Sequence, residues 1–415
     1  MKALTRRASR RTSLTVSAVL FLAIAAAACS SSGGGSTKAG TDSKASGSTI
    51  RVGFVAPTSG PEPFPTELAA IKGGLKYVND TLHGVNGHPL QVDVCQTDGT
   101  AEANVNCANT FVQNHDVLVL DGYDLADGAE QPILDRAGIS MVGVVASNET
   151  TDTSANDFFF GPSSEAFGAG PAEILKRQGV TSIAYTAPNL PAIQTYAQDA
   201  LLPPTKALGL TYSTTYYDPT NSNWAVVAQT LASKHADLIF SIAGSEAQCT
   251  SLLQALRAAN VTSKIFLGGC SQFVQTLGAK ESAGVLSYTA LWQPNMSGHA
   301  PTVIQHQLDA YKSVMTSIGQ GSVVDQHGVA AFATVVDADE VLSMIKGTIS
   351  AATAKKQFES LKNWQPFLDP PATCDHKQWP GTSTCTATLL VTEIAADGGT
   401  EAAGGAGFQS VAPVK

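Results

Sequence analysis

The sequence predicts an α/β protein of two Rossmann-like lobes, each a mostly parallel sheet covered by helices. Three observations carry that expectation. From Ile50 onward, short β-rich runs alternate with runs of helical period, the pattern of βαβ units. The alternation comes in two series, one ending near Val144 and the other beginning near Ile174. About 370 residues follow position 48, whereas single cores stop growing near about 250–300 residues.

In the first series, residues 50–55 read as a strand. Leu68, Ile71, Leu75, Val78 and Leu82 then mark one helical face at steps of three and four. A strand is expected at 90–94, a helix carrying Val105, Ala108 and Val112, a strand at 117–120, a helix at 131–137 and a strand at 140–144. The second series places strands at 182–186, 211–217, 237–242 and 264–267, with Leu252, Leu253 and Leu256 on one face of an intervening helix.

Ahead of this body, Lys2, Arg6, Arg7, Arg10 and Arg11 form a basic head, followed by an apolar run over 14–28 that stops at Cys29. Such a run falls short of the ~20 residues a membrane span needs, so residues 1–28 are expected to be a signal peptide. Small residues before a Cys resemble a bacterial lipobox, which implies diacylglycerol on Cys29, although Ala26 stands where the pattern prefers Leu. Plain cleavage is the alternative. Arg10 and Arg11 also resemble a twin-arginine signal, so the export route stays open. Residues 29–48, rich in Ser, Gly, Thr and Lys, are expected to be a flexible tether. Without the leader, 20 basic residues face 34 acidic ones, net −14, which argues against nucleic acid or anionic lipid as a partner.

Six cysteines remain after Cys29, an even number that an exported protein pairs. Neighbour pairing joins Cys95 to Cys107, Cys249 to Cys270 and Cys374 to Cys385, although fifteen connectivities are formally open. No C-x-x-C spacing occurs, so neither a metal site nor a cofactor is expected.

The segments IRVGFVAPTSGP, YVND, GVNGHPLQVDVCQTD and QPILDRAGISMVGVVASN resemble the leucine/isoleucine/valine-binding family of ABC-transporter substrate-binding proteins, of the periplasmic binding protein type I fold. The similarity runs from about 50 to 285. It implies a three-crossing hinge, an N-lobe of 49–161 and 291–365, and a C-lobe of 162–290 and 366–415. It also implies an extracytoplasmic, monomeric binding protein, held on the outer face of the cytoplasmic membrane through Cys29, that passes a small molecule to an ABC permease and ATPase complex. A ligand-sensing receptor subunit is the alternative within that class.

Ligands of open α/β sheets sit beyond the carboxyl ends of the strands. Loops there offer Ser59, Phe64, Tyr123, Asp124, Ser147, Asn148, Asn189, Glu246 and Gln272 as ligand-binding candidates, with Trp292 and Phe273 as further aromatic walls. By the resemblance, Ser147 keeps one carboxylate-binding hydroxyl while Asp124 stands where another would be. Two like charges about 4 Å apart repel by roughly 4 kcal/mol at an effective dielectric near 20. The family's acid for an ammonium group is missing near 269–271, and its cleft tyrosine is replaced near 190–192. The expected ligand is therefore a polar solute of amino acid, amide or amine type, not a branched-chain amino acid in the usual pose. A hydrolase is the competing class, but no G-x-S-x-G, H-E-x-x-H, P-loop or strand-following G-x-G-x-x-G motif is present.

Overall fold

A computed structural model describes residues 45–60, 63–242, 245–268, 270, 272–296, 300–405 and 407–413. The expected signal peptide, Cys29 and most of the tether lie outside these residues. The end of the tether is not loose: Ser46 and Gly47 donate backbone N–H groups to Gly87 O, and the Ser48 carbonyl meets His88 Nδ1 at 2.8 Å. The turn at 87–88 thus supplies an acceptor, Gly87 O, and a donor, His88 Nδ1, that a solvated tether would otherwise find in water.

The first lobe runs β1 (Ile50–Pro57), α1 (Thr66–Tyr77), β2 (Leu90–Thr97), α2 (Ala101–Asn114), β3 (Leu118–Leu120), α3 (Gln131–Ala137), β4 (Ser140–Gly143), α4 (Glu149–Asp152) and β5 (Phe158–Phe159). Its sheet is all parallel, in the order β2-β1-β3-β4-β5. The expected first two strands are each lengthened, because β1 and β2 pair continuously from Ile50↔Leu90 to Pro57↔Thr97. The apolar spacing that reaches Leu82 continues α1 as a π-helical turn over Val78–Leu82, closed by His83 in the left-handed region.

The second lobe runs α5 (Ser164–Arg177), β6 (Ser182–Pro188), α6 (Pro191–Tyr196), α7 (Leu202–Ala207), β7 (Thr211–Tyr217), α8 (Trp224–Ala232), β8 (Leu238–Ser241), α9 (Glu246–Ala258), β9 (Lys264–Leu267), α10 (Phe273–Ser282) and β10 (Leu286–Thr289). Then α11 (Thr302–Ser317), α12 (Gln326–Ser343) and α13 (Ala351–Glu359) return to the first lobe, before β11 (Thr388–Ile394), β12 (Thr400–Ala402) and β13 (Gln409–Ser410) rejoin the second. The second sheet has the order β12-β11-β10-β9-β8-β6-β7, parallel up to β10 and antiparallel beyond it. The antiparallel edge has no counterpart in the expected strands.

The helix α12 is buried along almost its whole length, which a run such as VAAFATVV permits only against a closely packed partner. That partner is α1, where Gly74 lets the helices approach: a Cβ there would lie 2.9 Å from Val335 Cβ.

Residues 383–385, in a stretch expected in the C-lobe, pair with the open edge of the first sheet. Thr384 bridges Phe159, with Phe159 N donating to Ser383 O and Cys385 N to Phe159 O. A two-residue edge strand leaves backbone groups unpaired, and this segment satisfies them. Disulfides join Cys95 to Cys107, Cys249 to Cys270 and Cys374 to Cys385, the last closing that edge segment into a loop.

Candidate functional site

Between the two sheets lies a pocket of about 870 Å³, in the size range of small-molecule sites. Its walls come from both lobes. The first lobe contributes the loops after β3 and β4 and the start of α12, and the second contributes α5, α6 and the ends of β8 to β10. The residues 380–382, at the tip of the Cys374–Cys385 loop, close one side.

One corner is aromatic. Phe64 stacks on His327 with ring centroids 4.4 Å apart, and Tyr123 meets the same imidazole edge-on at 4.7 Å. Tyr123 is fixed at both ends, its N–H donating to Glu67 Oε1 at 2.7 Å and its hydroxyl accepting from Gln326 Nε2. Burial, then the nearby Asp369, pushes the Tyr123 hydroxyl well above its ordinary value, so it stays a neutral hydrogen-bonding group. His327 sits 3.6 Å from Asp325, the N-cap of α12. Burial alone would raise Asp325, but its contact with His327 and the N–H of Gly328 hold the carboxyl below the usual range.

The loop after β4 presents Ser147 and Asn148 to the pocket. Their placement depends on Asp127, which is fully buried and accepts from Ser147 N at 2.8 Å and from the Asn148 amide. Asn148 in turn caps α4 by accepting from Thr150 N and Thr151 N. Gly128 leaves room for that amide, since a Cβ would fall 2.1 Å from Asn148 Oδ1 and the side chain would have to move. At the back, Asp152 accepts from Ser164 N at 3.0 Å and Ser164 Oγ at 2.7 Å, which ties α4 to the start of α5. Burial raises the Asp152 carboxyl to about 6 against those hydrogen bonds. Phe167 and Tyr288, 4.2 Å apart and edge to face, line the far wall.

Of the expected ligand residues, Phe64, Tyr123, Ser147 and Asn148 come together at the pocket. The others do not line it. Asp124 is completely buried behind the loop, accepting from Asn104 Nδ2 and from Ala126 N at 2.9 Å, so it turns the chain and does not line the pocket. Ser59 is exposed and its hydroxyl donates to Thr97 O. Asn189 accepts from Gln194 at the start of α6. Glu246 accepts from Gln272 N, and the Gln272 amide reaches across the cleft to Asp325 Oδ2 at 3.3 Å. Trp292 is core, its ring edge-on to Phe408, and Phe273 is core of the second lobe. Positions 269 and 271, where an ammonium partner was sought, lie outside the described residues.

Sequence reasoning missed His327, Asp152, Glu165, Phe167, Tyr196, Tyr288 and the 380–382 tip. The start of α12 could have been found, because Asp325 before an apolar helical run is an N-cap signal and puts the next residues at a helix mouth.

No curated protein sequence matches the chain. Its fold is similar to that of an ABC-transporter substrate-binding protein of Aeropyrum pernix, at 13% identity and TM-score 0.73, covering 89% of this chain and 98% of that one. It is similar to the branched-chain amino acid transporter substrate-binding protein LivJ of Streptococcus pneumoniae in complex with isoleucine, at 14% identity and TM-score 0.66, covering 88% and 100%. A solute-binding protein of R. palustris in complex with 4-hydroxybenzoate is similar at 17% identity and TM-score 0.68, covering 88% and 98%. The expected two-lobed fold is thus present in both topology and relatives. Residues 49–398 match the family described as Periplasmic binding protein, and with that span the chain belongs to this family.

Proposed function

We propose that the protein is the solute receptor of an ABC importer, a binding module and not an enzyme, which closes two lobes on a small organic solute and delivers it to a permease. The observation that carries this is the pocket of about 870 Å³ walled by both lobes at the carboxyl ends of their strands. A site built half from each lobe is complete only when the lobes meet, so ligand binding and closure are one equilibrium. The solute belongs to the amino acid, amide or amine class, with an apolar body for the Phe64, Tyr123 and Phe167 walls. Isoleucine and 4-hydroxybenzoate, held by the two similar proteins, are solutes of that size. Export and a lipid on Cys29 would hold the receptor at the outer face of the cytoplasmic membrane.

A thermal-shift screen of the exported protein, followed by small-angle scattering, tests the receptor role. A solute at a hundred times its dissociation constant stabilises by about 2.7 kcal/mol and should shrink the scattering envelope. Stabilisation without compaction would remove the closing mechanism. Membrane fractionation tests the anchor: the wild type should sediment with membranes and Cys29→Ala should be released.

A further inference from the structure

We propose that the solute is an organic cation, an amine whose positive head sits against Glu149, Asp152 and Glu165 while its apolar body lies among Phe64, Tyr123 and Phe167. This rests on the receptor role above and names the charge of what that site takes. The described lining residues include four acids, these three and Asp199, and no Lys or Arg. His327 is the single imidazole among them, already engaged with Asp325 and stacked on Phe64.

Four backbone donors at the loop after β4 and the mouth of α5 are already occupied. The N–H of Ser147 goes to Asp127, those of Thr150 and Thr151 go to Asn148, and that of Ser164, the first of α5, goes to Asp152. The mouth of α5 thus holds the protein's own carboxylate where a ligand carboxylate would otherwise dock. An entering carboxylate would meet like charge with those donors withdrawn, whereas an ammonium group would meet acceptors.

Asp152 shows the missing countercharge most directly. The residue is only 4% exposed, Oδ1 is sealed from solvent with no hydrogen-bond partner, and Glu165 and Glu149 repel it, so its charge has no cation beside it among the described residues. Burial raises its carboxyl to about 6, so near neutral pH it is mostly charged, and a cation beside it would stabilise that form. Phe64, Tyr123, Phe167 and Tyr288 add ring faces, to which cations are attracted.

The test uses triplets sharing one skeleton, an amine, its neutral amide counterpart and the carboxylate, on linear, branched and phenyl frames, with affinity read by calorimetry. Within the frame that fits, the amine should bind about a hundredfold more tightly than the carboxylate, with the amide between them, and its affinity should fall as salt is raised. Glu149→Gln, at an exposed position where folding is not at risk, should weaken the amine about tenfold and spare the amide. A carboxylate or zwitterion binding as tightly as the amine would overturn the inference and leave the receptor role intact. Binding by no member of any triplet would overturn both.

Discussion

The two lobes share one architecture and differ in what they bury. Between positions 162 and 296 no described Asp or Glu is buried; the core there is aromatic and neutral, with Phe240 stacked on Phe266 at 4.4 Å and the Tyr185 hydroxyl bonded to Thr205 at 2.7 Å. Its surface acids behave ordinarily for turn residues: Thr181 and Ser182 donors hold the Asp237 carboxyl below its usual value. The first lobe buries Glu67, Asp121, Asp124, Asp127, Glu130 and Asp157, and on the elements that return to it Asp337, Asp339 and Asp369. Burial pushes each of these carboxyls up. Asp121 and Glu130 have no hydrogen-bond partner on either oxygen. The first lobe accepts an electrostatic cost where Asp127 and Glu67 hold the pocket loops, while the second is held by packing, neutral hydrogen bonds and a disulfide.

The contrast is open to attack from several sides. The largest effect should come from Phe240→Ala, which removes a fully packed ring from the second lobe and should cost about 3–5 kcal/mol in denaturant unfolding. That cost should be the same at pH 5 and pH 8; a strong pH dependence would mean the second core is not electrostatically silent.

Removing the Cys249–Cys270 bridge by paired Ser substitutions should cost ~3 kcal/mol, because the loop it closes regains freedom in the unfolded chain. Peptide mapping without reduction should find the three bridges and no free thiol. A cross-link such as Cys95 to Cys374 would contradict the observed pairing.

Stability should fall as pH rises. Burial first, aided by neighbouring acids, raises Asp116, Asp157 and Asp339 to about 7 and Asp152 to about 6, against roughly 3.9 in an unfolded chain. The folded state therefore binds more protons than the unfolded state. Their contribution is fully present below about pH 4 and is lost as pH climbs through 6 to 7. Asp121→Asn sharpens the point by replacing an unpartnered buried carboxyl with a neutral group. It should stabilise by ~1–3 kcal/mol at pH 8 and change little at pH 4. Equal effects at both pH values would argue that Asp121 is not a source of the pH dependence.

The smallest effect is expected at Asn148→Ala, which removes the cap of α4 at a cost of about 1 kcal/mol. Ligand affinity should suffer more than stability, because the same side chain links Asp127 to the loop carrying Ser147. Loss of stability with unchanged affinity would separate that loop from the site.

The periodic elements and their order could be read along the chain, because strand and helix periods are local properties. The helix at 131–137 and the strands at 211–217 and 264–267 lie where their apolar spacing put them. Cysteine spacing likewise anticipated pairs that are close along the chain. The loops after β3 and β4 were legible as strand-end loops because strand ends are local too, which is why Tyr123, Ser147 and Asn148 were placed where the pocket lies. Tertiary structure alone decided which loop side chain faces the cleft. Asp124 and Tyr123 are adjacent, yet the chain turns so that one is sealed behind Asn104 and the other opens on the pocket. It also brought in His327 and the 380–382 tip, whose neighbours in space are about 200 or more residues away in sequence. Such contacts are selected by burial and by hydrogen-bond satisfaction across the whole fold, such as the edge of β5 capturing Ser383 to Cys385. No local period carries that information.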